Sequence, residues 1–198
     1  MTLLNVAEIC PATRALGPGQ RFVIWVQGCC FNCPGCVSPD WIPQKQATMV
    51  NGRQLADYIL SIPNLDGLTV SGGEPMLQAM ALSEFFTYLR SLRDISIICY
   101  SGFTLEQLRA KSHPAINKVL TQIDVLIDGL YVSELNDNQG WRGSSNQVVN
   151  FLTPRHIKDA DFFTQRRRDV EIHVRETSAL VVGVPPVNFS PNLKQAIK

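Results

Sequence analysis

The sequence predicts an α/β fold with a mostly parallel sheet, because short apolar segments alternate with longer amphipathic ones. Hydrophobic residues make up 45% of the 198 residues and charged residues 18%, which is enough apolar material for a substantial core. The sequence shows neither an internal repeat nor a linker. We therefore expect one domain over residues 1–198, with a core at about 17–150 and a C-terminal extension at about 151–198.

Four apolar segments predict successive strands, and a turn rich in glycine or polar residues follows each of them. These segments are 21–27, 67–71, 95–100 and 124–127. Two further strand-like segments lie in the extension, at 170–175 and 179–182.

The segments between these strands predict helices. Residues 54–62 precede Pro63-Asn64, and residues 77–92 carry apolar side chains at helical spacing. Thr104 and Gln107 fit a capping box at the start of a further helix. Because ligands of parallel α/β folds bind beyond the carboxyl ends of the strands, we expect the four turns after the strands to form one site.

Three cysteines follow the first predicted strand, in a loop that reads Cys-Cys-Phe-Asn-Cys-Pro-Gly-Cys over residues 29–36. Cys29, Cys33 and Cys36 have the spacing C-x3-C-x2-C. A cubane iron–sulfur cluster normally takes four thiolates. Three thiolates leave one iron without a protein ligand, so the loop predicts a [4Fe–4S] cluster with an open iron at which chemistry can occur.

Two non-catalytic interpretations of the loop stay open. A zinc-binding interaction module needs four ligands, usually in two close pairs. The remaining candidates are dispersed: Cys10, Cys30, Cys99, His113, His156 and His173. A structural or electron-carrying iron–sulfur protein needs a fourth thiolate, and the nearest is the adjacent Cys30. We disfavour it, since consecutive cysteines seldom reach two corners of one cubane.

A glycine-rich turn, Ser71-Gly72-Gly73-Glu74-Pro75, follows the second predicted strand. Gly72 and Gly73 let the backbone approach a ligand closely, and Glu74 can accept a charge-assisted hydrogen bond from a ligand amine. Ser101 and Gly102, after the third strand, are further candidates for cofactor contacts. An ordinary tight turn is the alternative interpretation of both segments.

Together these residues resemble the radical S-adenosylmethionine superfamily. The resemblance implies that the open iron chelates S-adenosylmethionine and that the Gly-Gly-Glu segment holds the amino group of this cofactor. Ordered motifs over about 17–147 resemble more narrowly the small activating enzymes of anaerobic ribonucleotide reductases; they include Asn32-Cys33-Pro34-Gly35-Cys36, Asp124-Val125-Leu126-Ile127-Asp128-Gly129 and Arg142-Gly143-Ser144-Ser145-Asn146-Gln147.

This narrower likeness implies a partial (β/α) barrel, shorter than the full six-unit version. The implied activity is abstraction of a hydrogen atom from a backbone glycine of a partner enzyme by a 5′-deoxyadenosyl radical. We expect Asp128 and Arg142 to line the mouth of the site, Asp128 for a cation or a cofactor hydroxyl and Arg142 for a carboxylate. A surface ion pair is the alternative for both.

Segments 9–16, 37–41 and the tail beyond Asn150 differ from what we expect of a reductase activase. An alternative is therefore a maturase or splicease that modifies a ribosomally made precursor peptide with a small accessory protein. Both functions imply a polypeptide substrate and a low-potential electron donor such as flavodoxin or ferredoxin. We expect the shortened barrel to leave a lateral opening without a cap, with Trp41 and Trp141 as candidate anchors for the partner. Packing of both tryptophans against their own loops is the alternative.

Charge and hydropathy exclude other classes of partner. The net charge of +1 gives no electrostatic footprint for nucleic acid, and no apolar run approaches the length of a membrane-spanning helix. We expect no secretory signal, because residues 1–5 lead into a polar segment without an apolar stretch, and six cysteines are few for a disulfide scaffold. Free thiols and an oxygen-sensitive cluster indicate the reducing cytoplasm.

Overall fold

The computed structural model describes residues 2–187 and 189–196. The strands are β1 (Leu3–Thr13), β2 (Arg21–Val26), β3 (Thr48–Asn51), β4 (Gly67–Gly72), β5 (Ser96–Ser101), β6 (Val125–Asp128), β7 (Val148–Phe151), β8 (Val170–Val174) and β9 (Ala179–Gly183). The first seven form a single sheet in the order β3-β1-β2-β4-β5-β6-β7, and β8 and β9 form an antiparallel hairpin.

The helices are α1 (Gly52–Ser61), α2 (Ala79–Leu92), α3 (Leu105–Ala110), α4 (Pro114–Leu120), α5 (Ala160–Thr164) and α6 (Phe189–Ala196). The predicted capping box at Thr104 and Gln107 is confirmed, since each side chain accepts a hydrogen bond from the backbone of the other residue. The predicted helix at 77–92 is confirmed, with a 3-10 turn, Pro75–Gln78, at its start. Among the described residues, no helix combines the length and apolar character needed to cross a membrane.

The centre of the sheet is parallel, as predicted. Strands β2, β4, β5 and β6 pair in parallel, so their carboxyl ends share one edge. Strands β1, β3 and β7 pair antiparallel at the two sides. The sequence did not predict these three strands. In β1, Pro11 and the polar residues Asn5 and Glu8 obscure the strand pattern, and the register with β2 shifts around Pro11.

One face of the sheet packs against the helices. Alternate residues of the central strands, such as Ile24, Val70 and Ile97, bury their side chains against the aromatic residues Phe85 and Phe86 of α2. This face forms the largest buried apolar cluster, and it fixes the strands whose carboxyl ends carry the candidate site.

The other face of the sheet is covered by residues after Asn150. Phe163 of α5 packs with Ile98 and Ile127, and Val182 of β9 packs with Val23 and Trp25. The predicted lateral opening of the barrel is a separate feature and stays a prediction. Phe163 and Val182 are themselves fully buried, because they fill the space that the strand side chains leave open.

A buried arginine lies at the amino ends of the parallel strands, away from the cysteine loop. Arg21 is completely buried and donates hydrogen bonds to the side chains of Thr69 and Ser96 and to the carbonyl of Leu68. Burial lowers the pKa of Arg21 to about 9. These acceptors satisfy a charge that would otherwise be costly to bury, so Arg21 joins three neighbouring strands.

Candidate functional site

The loops that follow the four parallel strands meet at one edge of the sheet. The backbone N–H of Glu74 donates to the carbonyl of Gly28 at 2.8 Å, and the Glu74 carboxylate accepts from the N–H of Gly102 at 2.7 Å. The ring centroids of Phe31 and Phe103 lie 4.7 Å apart at the same edge. The structure thus brings together the cysteine loop, the Gly-Gly-Glu-Pro turn and the end of β5.

The cysteine loop is fastened at its base and open at its tip. The N–H groups of Gly28 and Cys29 donate to the carbonyls of Trp41 and Ile42, each at 2.9 Å. Beyond this base, the thiols of Cys29, Cys33 and Cys36 are free and partly exposed, and Cys30 is exposed. Burial raises the pKa of Cys29 to about 11 and also raises the pKa of Cys36. Thiols bind iron as thiolates, so binding of a cluster would release these protons.

The donor set of this loop fits a cluster. In the described part of the chain, no three His, Cys, Asp or Glu side chains converge as ligands of a single metal ion would. A cubane is bound differently, because each thiolate ligates a different iron atom. Cys10 and Cys99 are buried elsewhere, and the Cys10 Sγ lies 3.7 Å from the Nε2 of His173.

The two glycines of the Gly-Gly-Glu-Pro turn are required by close packing within the protein. A Cβ on Gly72 would lie 2.4 Å from the backbone nitrogen of Val26, and Gly72 has a φ of +107°. A Cβ on Gly73 would lie 2.1 Å from the carbonyl oxygen of Gly28. Only glycine therefore allows this turn to press against the end of β2 and the root of the cysteine loop.

Glu74 binds protein donors with both carboxylate oxygens. Its Oε1 accepts from the N–H of Met76 and from the hydroxyl of Ser101, each at 2.9 Å, and its Oε2 accepts from Gly102. Only 1% of the residue is exposed. Burial raises the pKa of Glu74, while these three hydrogen bonds act to lower it. A direct bond between this carboxylate and the cofactor amine stays a prediction.

Ser101 and Asp128 are both buried at the ends of their strands. The Ser101 hydroxyl also accepts a hydrogen bond from the N–H of Phe103 at 3.1 Å. One Asp128 oxygen, Oδ2, accepts from the N–H of Leu105, whereas Oδ1 is buried without a hydrogen-bond partner. An unpaired carboxylate oxygen is costly to bury. A contact of this atom with a cofactor hydroxyl or a cation stays a prediction.

Arg142 is engaged within its own loop. Its guanidinium pairs with Asp137 at 2.6 Å and donates to the carbonyl of Ser145 at 3.1 Å. The structure therefore shows Arg142 in an ion pair, which was the alternative interpretation of this residue. The proposed contact of Arg142 with a cofactor carboxylate stays a prediction, and it requires the pair with Asp137 to open.

The two candidate tryptophan anchors pack against the protein itself. The ring of Trp41 lies 5.5 Å from that of Trp25, and the buried Trp141 lies 5.0 Å from Phe163. The expectation that Trp141 is free for a partner was wrong. Three apolar side chains around the cysteine loop are exposed instead, and the sequence analysis missed them: Val37 (60%), Leu130 (43%) and Leu135 (45%).

Comparison with known proteins decides the family. The model of the 4Fe-4S single cluster domain family matches residues 15–150. The chain belongs to this family. This match, together with the activating proteins named below, shows that the chain is a radical S-adenosylmethionine enzyme with a [4Fe–4S] cluster and S-adenosylmethionine as its cofactors.

Named relatives of this single cluster protein include activating proteins. The anaerobic ribonucleoside-triphosphate reductase-activating protein of Escherichia coli K12 is 32% identical over 164 residues, covering 75% of this chain and 99% of the relative. The protein of the same name from Enterobacteria phage T4 is 30% identical over 150 residues, covering 73% and 92%. A putative glycyl-radical enzyme activating enzyme of Haemophilus influenzae is 36% identical over 102 residues, covering 48% and 38%.

Proposed function

We propose that this protein activates a glycyl radical enzyme by abstracting a hydrogen atom from a backbone glycine of that partner. The observation that carries the proposal is the placement of the three-cysteine loop beside the Gly-Gly-Glu-Pro turn at one edge of the sheet. The names of the reductase-activating relatives support the same activity.

In this mechanism Cys29, Cys33 and Cys36 would hold the cluster. When bound, the cluster supplies the electron for reductive cleavage of S-adenosylmethionine at its open iron. The Glu74 carboxylate joins the Gly-Gly-Glu-Pro turn to the end of β5, because it accepts hydrogen bonds from Ser101 and Gly102. The unpaired Oδ1 of Asp128 offers an acceptor for a cofactor hydroxyl or a site for a cation.

We propose that the partner polypeptide contacts the apolar side chains around the cysteine loop. Val37 follows Cys36 directly, and Leu130 and Leu135 lie in the segment that follows β6. Apolar side chains exposed around a site commonly mark an interaction surface. Docking of a polypeptide there would also exclude water from the cleaved cofactor.

The proposal also covers the fold, the domain organisation, the compartment and the electron donor. We propose that the sheet is the core of a shortened (β/α) barrel and that residues 1–198 act as one domain, since Phe163 and Val182 of the extension pack on the sheet. Free thiols and a reduced cluster suit the cytoplasm, with a low-potential flavodoxin or ferredoxin as electron donor.

A second candidate is maturation of a ribosomally made precursor peptide. The observation that favours it is the match of the family model to residues 15–150, which leaves the extension unmatched. An accessory protein would then present the precursor. The two candidates share the radical chemistry and differ in the polypeptide.

Cofactor cleavage tests the activity that both candidates share. The anaerobically reconstituted protein with a chemical reductant should convert S-adenosylmethionine into methionine and 5′-deoxyadenosine, and Cys29→Ala should not. Addition of an anaerobic reductase should then produce a glycyl radical detectable by electron paramagnetic resonance. Cofactor cleavage without a radical on the reductase, but with modification of a precursor peptide, would favour the second candidate.

A further inference from the structure

The segment after β6, residues 129–135, is held by the run 142–147 through a series of hydrogen bonds; we call 129–135 the rim segment. Side chains of the run make three of these bonds. They are Gln147 Nε2 to the Gly129 carbonyl (2.7 Å), Asn146 Nδ2 to the Leu130 carbonyl (2.9 Å), and the Val132 N–H to Ser144 Oγ (3.1 Å). A fourth bond joins the Ser145 N–H to the Leu135 carbonyl at 2.8 Å.

The residue types of this run suit such a role. Asn and Gln side chains carry an amide and Ser carries a hydroxyl, so they can satisfy backbone groups as a neighbouring strand would. Ser144 is completely buried, and Gln147 Oε1 also accepts from the N–H of Gly143 at 2.7 Å. The run therefore braces the rim segment with side chains where strand pairing has ended.

The rim segment packs on the cysteine loop. A Cβ built on Gly35 would lie 3.3 Å from the Cβ of Ser133 and 3.8 Å from Cε1 of Tyr131. The ring of Tyr131 also lies against Gly143 of the run, whose Cβ would be 2.9 Å from Cδ2. Since Gly35 immediately precedes Cys36, the position of the rim segment limits where this part of the loop can lie.

Arg168 of the C-terminal extension holds the start of the run 142–147 through hydrogen bonds. The side chain of Arg168 is 1% exposed. Its guanidinium donates to the carbonyls of Arg142 at 2.6 Å and Gly143 at 3.0 Å and to the side chain of Asn136. Arg168 lies outside the residues that the family model matches. A continuous series of contacts thus runs from Arg168 through Gly143 and Tyr131 to Gly35.

We propose that Ser144, Gln147 and Arg168 are positioning residues that fix the cysteine loop through the rim segment. None of them needs to touch a cofactor for this role. This proposal rests on the proposed function in one respect, namely that the cysteine loop holds the cluster. It assigns to the run 142–147 a role as a brace, and to the extension a role in the geometry of the site.

Hydrogen–deuterium exchange of the protein without a cluster tests the brace directly. Gln147→Ala should raise exchange at least tenfold in residues 129–135 and in residues 30–37. Asn150→Ala is the control, because Asn150 Nδ2 also donates to a backbone carbonyl, that of Leu126 at 3.4 Å, but between β6 and β7. Faster exchange in 129–135 alone, or equal changes in the control, would overturn the proposal.

Ser144→Ala removes a single hydroxyl and serves as the second variant, should Gln147→Ala fail to fold. The same pattern of exchange is expected from it, with a smaller increase. In anaerobically reconstituted protein, air should bleach the cluster three- to tenfold faster in either variant than in the control. An unchanged rate would contradict the brace, whereas failure of wild-type protein to cleave S-adenosylmethionine would contradict only the proposed function.

Discussion

The carboxylate of Glu74 and the hydroxyl of Ser101 lie 2.9 Å apart, and their hydrogen bond joins the carboxyl ends of the neighbouring strands β4 and β5. The same carboxylate accepts from the N–H of Gly102, while the N–H of Glu74 binds the carbonyl of Gly28. One residue therefore connects the root of the cysteine loop with the end of β5. The Gly-Gly-Glu-Pro turn is part of the architecture of the site even before a cofactor binds.

Glu74→Gln should destabilise the protein even without cofactors. The amide of Gln can accept on one side only, so its NH2 group must face either Gly102 or the donors Met76 and Ser101, and a lost buried hydrogen bond costs about 1–3 kcal/mol. Urea unfolding of the cluster-free protein measures this loss. Ser101→Ala is the comparison variant, since it leaves the bond from Gly102 to Glu74 in place and removes the hydroxyl that donates to Glu74 and accepts from the N–H of Phe103.

The same Glu74→Gln variant should also bind S-adenosylmethionine more weakly, by about 1.5–3 kcal/mol if a charge-assisted bond is lost. An anaerobic spectroscopic titration measures the affinity. Weaker binding with unchanged unfolding would show that the main partner of the carboxylate is the cofactor amine. Unchanged affinity would show that the turn is only structural.

Alanine at Cys29, Cys33 or Cys36 should abolish cluster binding, because each of these thiolates is expected to ligate a different iron atom. Alanine at the exposed Cys30 should leave the iron and sulfide content close to that of the wild type. Metal analysis after anaerobic purification measures both. Loss of the cluster from the Cys30 variant would overturn the assignment of three ligands, and stoichiometric zinc in the wild type would exclude the cluster.

Phe163→Ala should cost about 3–5 kcal/mol of unfolding free energy, because a fully buried aromatic side chain is removed from the packing between α5 and the sheet. The adjacent Phe162 is 57% exposed, so Phe162→Ala should change stability by only about 0.5 kcal/mol. Denaturant unfolding compares the two variants. Equal and small effects would mean that the extension contributes little to the fold.

The sequence predicted the centre of the fold because its signals are local there. Each parallel strand is a short apolar run that ends in a distinctive turn, and the capping box at Thr104 is a four-residue pattern. The grouping of the cysteine loop with Glu74 and Ser101 also followed from the sequence, because the carboxyl ends of parallel strands share one edge.

Other features depend on contacts between distant residues, which no local pattern reveals. In the sequence, Arg21 is simply the first residue of a predicted strand. In the structure it is buried and bonded to Thr69 and Ser96, which lie 48 and 75 residues away in the sequence. The bonding of Glu74 to protein donors likewise depends on where β5 ends. The covering of the sheet by Phe163 and Val182 requires tertiary packing that the amphipathic pattern of the extension does not specify.

Arg142→Ala should lower stability by about 1 kcal/mol, since the ion pair with Asp137 is only partly buried. Thermal or urea unfolding measures this change. Cleavage of S-adenosylmethionine and substrate processing at wild-type rates would show that the ion pair with Asp137 is the role of Arg142. A large loss of cofactor affinity with unchanged stability would instead support a contact between Arg142 and a cofactor carboxylate.

Transfer of deuterium tests the central claim most directly. The partner polypeptide would be prepared with deuterated glycine and incubated anaerobically with the reconstituted protein, S-adenosylmethionine and a reductant. Mass spectrometry should then find deuterium in 5′-deoxyadenosine, in proportion to the radical formed on the polypeptide. Label that reaches 5′-deoxyadenosine from a free metabolite, with no polypeptide present, would contradict the account.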